Sequence, residues 1–457
     1  MSTIASISTA PGIGGIGIIR MSGEKSFEIL NKIFVPKNKE KIENVKGYTI
    51  KYGHIVENSK IVDEVLVSYF KAPKSYTSEN MCEINSHGGN VIVKKILEMC
   101  LKNGAILAEP GEFTKRAFLN GRIDLAQAES VIDVINAKSE KEAKAGIKQL
   151  EGELSKKINR IKEQILDIMV NIEVSIDYPE YDDIEEVQNE QVLNMLEDVE
   201  NKLTKLANSF ENGKILKEGI RTAIIGKPNA GKSSLLNAIL KEERAIVTEY
   251  EGTTRDTIEE FININGIPLK LIDTAGIREA TDEVEKIGIN KAKQIAEEAD
   301  LIIAIFDSSK DLTEDDKKIL EIIKNRKSII ILNKIDINKK IQKNDQMLTS
   351  VSKNIIEISA LKKQGIENLY NTISEMFDLN EINLDNEVLI TNIRHKDLIN
   401  KAIEKIQETK DTIKRNMPID IIAIYIKDIL EALGSITGEE VSEDIINEIF
   451  SKFCLGK

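Results

Sequence analysis

Apolar and polar positions follow three different rhythms along this chain. Up to about residue 118, short β-rich runs (residues 16–20, 48–55, 64–70 and 81–85) alternate with turn signals and with helical patterns over residues 23–34 and 91–102. That mixture predicts a compact α+β domain. From residue 119 to about 215 the period becomes helical. Leu150, Leu154, Ile158, Ile161, Ile165, Ile168 and Ile172 recur at spacings of 4, 4, 3, 4, 3 and 4, one apolar stripe on a long helix. Pro179 should stop that helix near Asp177, because proline disfavours a helical residue before it. Val192, Leu196, Val199, Leu203, Leu206 and Phe210 form a second stripe. The first seam ends after about three heptads, so the stripes predict a bundle within the chain rather than a coiled coil between chains.

Between residues 219 and 379, isoleucine-rich runs at 221–226, 270–273, 301–307, 328–333 and 355–359 alternate with helical patterns. This is the signature of an open, mainly parallel sheet. Asn265-Gly266 should join residues 257–264 to 269–273 as a type I′ hairpin, giving one antiparallel edge. Residues 388–457 read as helical again. Helices before and after an α/β unit suggest that this unit is inserted in a helical domain whose two halves pack together. The expected division is 1–118 α+β, 119–215 helical, 216–379 α/β and 380–457 helical.

Composition narrows the class. The chain has 457 residues, 41% hydrophobic and 30% charged, which suits a folded soluble protein. No apolar run approaches the ~18 residues of a membrane span, and no secretory signal opens the chain. Cys82, Cys100 and Cys454 share no metal-site spacing, and His54, His87 and His395 are scattered, so neither a disulfide scaffold nor a zinc site is expected. A cytoplasmic location follows by default. The net charge of −13 disfavours a general basic surface for nucleic acid.

The strongest chemical signal is Gly226-Lys-Pro-Asn-Ala-Gly-Lys-Ser233, which fits GxxxxGK[ST] between an apolar strand and a helical run. In such a loop the backbone N–H groups of Asn229, Ala230, Gly231 and the helix start cradle a β-phosphate. Lys232 adds a point charge, Ser233 can ligate Mg²⁺, and Ser234 opens the helix. Asp273, Thr274, Ala275 and Gly276 end the next strand; Asp273 can hold the magnesium shell through water and the Gly276 amide can meet a γ-phosphate. Asn333-Lys334-Ile335-Asp336 ends another apolar strand. The carboxylate of Asp336 can accept from N1–H and the 2-amino group of guanine, a paired donor face that adenine lacks. Ser359-Ala360 closes the following strand and would give a backbone N–H to the guanine oxygen. Four such motifs in order at strand C-termini mark the ligand edge of a doubly wound sheet that binds GTP.

Residues 248–256, with Thr248, Tyr250, Thr253 and Thr254, occupy the place of a switch loop, where a threonine can complete the Mg²⁺ shell. Ile277 stands where Ras-type enzymes carry a water-orienting glutamine, and an alkyl chain cannot do that work. Glu285, farther along, is the candidate base or water-orienter.

Taken together, the runs PNAGKSSLLNAIL, EGTTRD and DTAGIREATDEVEKIGI resemble those of the MnmE (TrmE) family of tRNA-modification GTPases. So do the start at residues 10–20, the stretch 110–129 and the tail Phe453-Cys-Leu-Gly-Lys457. The resemblance spans the whole chain. It implies a multidomain α/β and α protein: an N-terminal α+β folate-binding and dimerisation domain, a helical domain, and an inserted Ras-like doubly wound P-loop GTPase domain. It implies potassium-stimulated hydrolysis, with K⁺ held by Asn229, Thr248, Tyr250 and Thr253, magnesium by Ser233 and Thr254, and water oriented by Glu285 once two GTPase domains face each other. A 5-formyl- or 5,10-methylene-tetrahydrofolate is implied near Arg20, Glu83, Arg122 and Lys457. Cys454 is either a thiol near the one-carbon chemistry or a packing residue. The implied partners are a second copy of the chain, an FAD-dependent MnmG (GidA) family protein and tRNA, with no membrane.

Other signals are weaker. Gly12-Ile-Gly-Gly-Ile-Gly17 satisfies GxGxxG but is followed by a strand pattern, so a glycine turn is expected there. His87-Gly-Gly reads as a turn whose histidine could line the folate pocket. Lys138, Lys141, Lys144, Lys148, Lys156, Lys157, Arg160 and Lys162 read as a cluster on the long helix, either a solvated face or a phosphate track for tRNA. The function expected is that of a GTPase helping to place a carboxymethylaminomethyl or aminomethyl group at C5 of the tRNA wobble uridine. The rival is a regulatory or ribosome-assembly GTPase, which would share every nucleotide motif.

Overall fold

The computed structural model describes residues 2–37, 47–177, 185–240, 260–264, 266–272, 288–377 and 388–457. These residues form two compact units. One comprises residues 1–132, 149–180 and 415–457, the other 133–148 and 181–414.

In the first unit a seven-stranded sheet is built from β1 (Ile4–Ile7), β2 (Ile16–Ser22), β3 (Phe34–Pro36), β4 (Thr49–Glu57), β5 (Lys60–Phe70), β6 (Met81–His87) and β7 (Ile106–Leu107), in the order β3-β4-β5-β6-β2-β1-β7. Alternation of side chains gives it two unlike faces. Ile19, Met21, Ile55, Val65, Val67 and Ile84 bury against helices Ser26–Ile33 and Asn90–Lys102. Register places Ile50 and Tyr52 opposite Ser68 and Leu66, and Val35 opposite His54, on the other face. The strand after the glycine-rich turn is β2, as its pattern predicts, so the GxGxxG match opens no helix.

The long apolar stripe is real but begins at Leu154, one stripe position later than its spacing suggests. Leu150 ends helix Glu140–Leu150, Gly152 turns the chain at φ +81°, and helix Glu153–Asp177 carries Leu154 through Ile172, all buried. A left-handed glycine interrupts the pattern at little steric cost. The helix packs on Ile419–Thr437 within the same unit, so the stripe is covered inside the chain. The break also divides the lysine cluster. Lys141, Lys144 and Lys148 lie on the shorter helix with Lys138 just before it, whereas Lys156, Lys157, Arg160 and Lys162 lie on the longer one. They therefore do not share the single long helix that the pattern suggested.

In the second unit β8 (Ile220–Gly226), β9 (Glu260–Ile264), β10 (Ile267–Leu271), β11 (Leu301–Asp307), β12 (Ser328–Asn333) and β13 (Ile355–Glu357) form a sheet ordered β13-β12-β11-β8-β10-β9. All neighbours are parallel except β9, which pairs antiparallel with β10 as the edge. Asn265 of the expected hairpin turn lies outside the described residues. Isoleucine runs read as buried on both sides, and they are. Ile302, Ala304 and Phe306 of β11 enter one core with helices Gly288–Glu298 and Glu314–Ile323. Leu301, Ile303 and Ile305 enter the other with helices Lys232–Leu240 and Ile366–Met376. Helix Glu185–Asn208 packs on Ile393–Lys414 in this unit, with Lys410 Nζ 2.9 Å from Glu200. In both units, then, a helix from before the α/β segment pairs with one from after it. Among the described residues no helix is long and apolar enough to cross a membrane.

Candidate functional site

Strand β8 ends at Gly226, and the chain turns through residues 227–231 into helix Lys232–Leu240. The turn needs two left-handed residues, Asn229 at φ +59° and Gly231 at φ +107°. A side chain at Gly231 would also collide with the Asn333 amide, its Cβ coming within 2.0 Å of Nδ2. Successive left-handed turns at a helix N-terminus turn backbone N–H groups toward one point, which favours an anion. The ammonium of Lys232 donates to the carbonyls of Gly226 at 2.7 Å and Lys227 at 2.9 Å, leaving one of its three protons for a ligand. Burial pushes the Lys232 amine below its ordinary pKa. Ser233 and Ser234 are exposed on the first turn, as is the Asn229 side chain before it.

The base-binding half is assembled around Asn333, which is 2% exposed. Its Nδ2 donates to the Ala230 carbonyl at 2.9 Å and its Oδ1 accepts from the Ala360 amide at 3.0 Å. One side chain thus locks the phosphate loop to the loops after β12 and β13. Lys334 follows at φ +66°, its amine 2.7 Å from Asp307 Oδ2. Asp336 Oδ1 accepts from the Ser359 hydroxyl at 2.7 Å, and this bond holds its carboxyl below the usual range. Asn229, Ala230, Gly231, Lys232, Ser233, Ser234, Asn333, Lys334, Asp336, Ser359 and Ala360 are therefore brought to one edge of the sheet. Thr248, Tyr250, Thr253, Thr254, Asp273, Thr274, Ala275, Gly276, Ile277 and Glu285 lie outside the described residues.

In the first unit a second cluster forms around Arg20 on β2. Its guanidinium binds Glu83 of β6 through Nε at 2.9 Å and Nη2 at 2.8 Å, and its Nη1 donates to the Gly456 carbonyl at 3.1 Å. The C-terminal tail is stitched in by Ser8 Oγ on that same carbonyl at 3.1 Å, and by Gly111 N and Phe113 N on the carbonyls of Cys454 and Lys457. Gly456, at φ +84°, passes so close to Ile7 that a Cβ would reach 2.3 Å from its carbonyl oxygen. Phe453 is buried against Phe450 and helix Glu112–Leu119. Burial, then the Arg20 charge, pushes the Lys457 amine below its ordinary pKa. Arg122 is exposed and stacks on Tyr76, 4.7 Å from the ring centroid, while Arg20 lies 5.4 Å from the same ring. Tyr76, a residue that no sequence signal singled out, thus joins Arg122 to Arg20, and Arg20 in turn holds Glu83 and the tail that ends in Lys457. Cys454 is exposed; the buried thiols of Cys82 and Cys100 are both pushed up by burial, Cys100 to about 12. His87, the last residue of β6 rather than part of a turn, binds Asp63 of β5 at 2.7 Å.

A doubly wound sheet whose first strand feeds a phosphate loop, and whose last two end in base-selecting loops, is the GTP-hydrolysing P-loop domain. Residues 3–122 match the family model for the GTP-binding protein TrmE N-terminus, and residues 125–454 match that for the MnmE helical domain. The chain is 51% identical to the tRNA modification GTPase MnmE of Acetivibrio thermocellus over 457 residues, covering 100% of this chain and 99% of the relative. It is 49% identical to the proteins of the same name from Alkaliphilus oremlandii and Clostridioides difficile, with coverage of 100% and 99% in each case. The chain belongs to the MnmE (TrmE) family of GTPases.

Proposed function

We propose that this chain is the GTP-hydrolysing component of the complex that installs a carboxymethylaminomethyl or aminomethyl group at C5 of the tRNA wobble uridine. The observation that carries the reading is the second site. A switch protein needs only the nucleotide site, yet this chain also builds a cluster of Arg20, Glu83, Lys457 and Arg122 and secures it with its own C-terminal tail. That donor set suits a reduced folate. Arg20, Arg122 and Lys457 can face glutamate carboxylates, and Glu83 can accept from a guanidine-like pterin edge. A bound folate would supply a one-carbon unit, and Cys454, exposed on the same tail, would be the thiol near it. An FAD-dependent MnmG family protein would be the redox partner, in the cytoplasm.

A homodimer is supported by the uncovered face of the N-terminal sheet, where Val35, Ile50 and Leu66 are 53%, 63% and 48% exposed around Tyr52. Grouped apolar side chains on an open sheet face favour a partner surface. Nucleoside analysis of tRNA from cells lacking the gene tests the reading. Loss of C5 aminomethyl-type groups from wobble uridine is expected. Intact nucleosides with accumulating ribosome precursors would favour the assembly-factor reading instead.

Within this function Ser233 and Thr254 would hold Mg²⁺, and Asn229 with Thr248, Tyr250 and Thr253 would hold K⁺, a monovalent charge where other enzymes use arginine. Hydrolysis in K⁺ is expected to exceed that in Na⁺ at least ~10-fold, as a transition-state charge contact warrants. Because Asn229 is left-handed, Asn229→Gly removes the side chain without the strain that Asn229→Ala adds. Both variants should lose the cation preference; an unchanged K⁺/Na⁺ ratio in Asn229→Gly puts the ion elsewhere.

A further inference from the structure

One segment touches both halves of the nucleotide site without carrying any of the sequence motifs. It runs from Asp307, the last residue of β11, to Asp316 in the first turn of helix Glu314–Ile323. At its start Asp307 Oδ2 binds the Lys334 amine at 2.7 Å. Burial raises the Asp307 carboxyl, but donors from Lys334 and Ser309 outweigh it and hold the group below the usual carboxylate range. Ser308, fully buried, donates to the Asn333 carbonyl from its amide at 2.9 Å and from its hydroxyl at 2.7 Å. At the other end the carboxylate of Asp316 accepts from the Thr313 amide and hydroxyl, both at 2.8 Å, and so caps the helix.

Lys227, the second residue of the phosphate loop, reaches this cap. Its ammonium lies 2.6 Å from Asp316 Oδ2 and 2.7 Å from Thr313 Oγ1. The Asp316 side chain is 6% exposed and that of Lys227 28%, so solvent screens the pair far less than a surface ion pair. The carbonyl of Lys227 is in turn one of the two that seat the Lys232 ammonium. A relay of direct contacts therefore runs from Asp316 through the side chain of Lys227 to its carbonyl, and from there to the ammonium that would meet phosphate.

We propose that Lys227 and Asp316 are positioning residues for nucleotide binding, and that the segment from Asp307 to Asp316 braces the phosphate loop and the guanine loop at a fixed span. The brace acts on groups that GTP and GDP share, so it sets affinity for both and leaves the γ-phosphate chemistry to other residues. Lys227→Met keeps the aliphatic stem and removes only the ammonium. In the full chain, fluorescence titration should show GDP and a GTP analogue both weakened about tenfold, the usual effect of losing one charge-assisted hydrogen bond. The rise in KM should exceed the fall in kcat. Lys227→Arg should recover most of the affinity, since a guanidinium can still donate to both Asp316 and Thr313. Lys227→Met/Asp316→Asn should bind no worse than the weaker single variant, because the two act as one unit. Unchanged GDP affinity in Lys227→Met, a loss that arginine does not repair, or additive losses in the double variant would each overturn the proposal. Should Asp316→Asn fail to fold, the two Lys227 variants decide it alone.

Discussion

Glu285→Ala is expected to bind GTP almost normally and to lose hydrolysis by ~10²–10⁴-fold, the usual worth of a positioned general base or water-orienting group. The reason lies in a gap that the sequence leaves. Ile277 holds the place of the glutamine that orients water in Ras-type enzymes, and its side chain has no hydrogen-bonding atom. Glu285 follows on the same segment, and both lie outside the described residues. A carboxylate beside a triphosphate is repelled unless cations offset the charge, so its approach would depend on the Mg²⁺ and K⁺ proposed above. The expected variant therefore separates binding from turnover: kcat falls while the Kd for a GTP analogue stays within a few-fold of its original value. Single-turnover hydrolysis under saturating GTP checks this. Near-normal turnover would show that another group orients the water.

Elements buried on both faces were the most readable part of this chain. In β11 and β12, unbroken runs of isoleucine and leucine admit only a parallel-sheet interior, and both strands begin and end where the pattern predicts. β1, β3 and β7 went unread. They are four, three and two residues long, too short for a period to register, and β7 exists only because it pairs beside β1. The break at Gly152 was hidden for a different reason. Leu150 and Leu154 keep helical spacing across it, so the pattern continues while the helix does not.

The site shows the same division. Loops that bind through backbone geometry leave motifs, because Gly231 and Asn229 must adopt left-handed conformations that few residues tolerate. Side chains that hold those loops from behind leave almost none. Lys227 and Asp316 are 89 positions apart in the numbering, and only the fold brings them together. Tyr76 is equally silent in sequence, yet two arginines stack on its ring.

Asp336→Asn should reverse the choice of nucleotide. In the structure Ser359 donates to Asp336 Oδ1 at 2.7 Å, which orients the carboxylate and holds it below the usual range. Oδ2 and the remaining lone pairs are then available to N1–H and the 2-amino group of guanine, two donors meeting one acceptor group. The asparagine amide can still accept from Ser359 through its oxygen, which turns its NH₂ toward the base. Donor then opposes donor in guanine, whereas xanthine offers a carbonyl at that position. Losing two charge-assisted hydrogen bonds of roughly 1.5–3 kcal/mol each predicts a fall in GTP affinity of ~10²–10⁴-fold. Ser359→Ala should cost much less, because the carboxylate loses its orientation but keeps its charge. Competitive titration with GTP, XTP and ATP checks the assignment. The wild type should bind GTP far more tightly than ATP, and Asp336→Asn should prefer XTP. Equal binding of ATP and GTP by the wild type, or retained GTP affinity in Asp336→Asn, would mean that this carboxylate does not read the base.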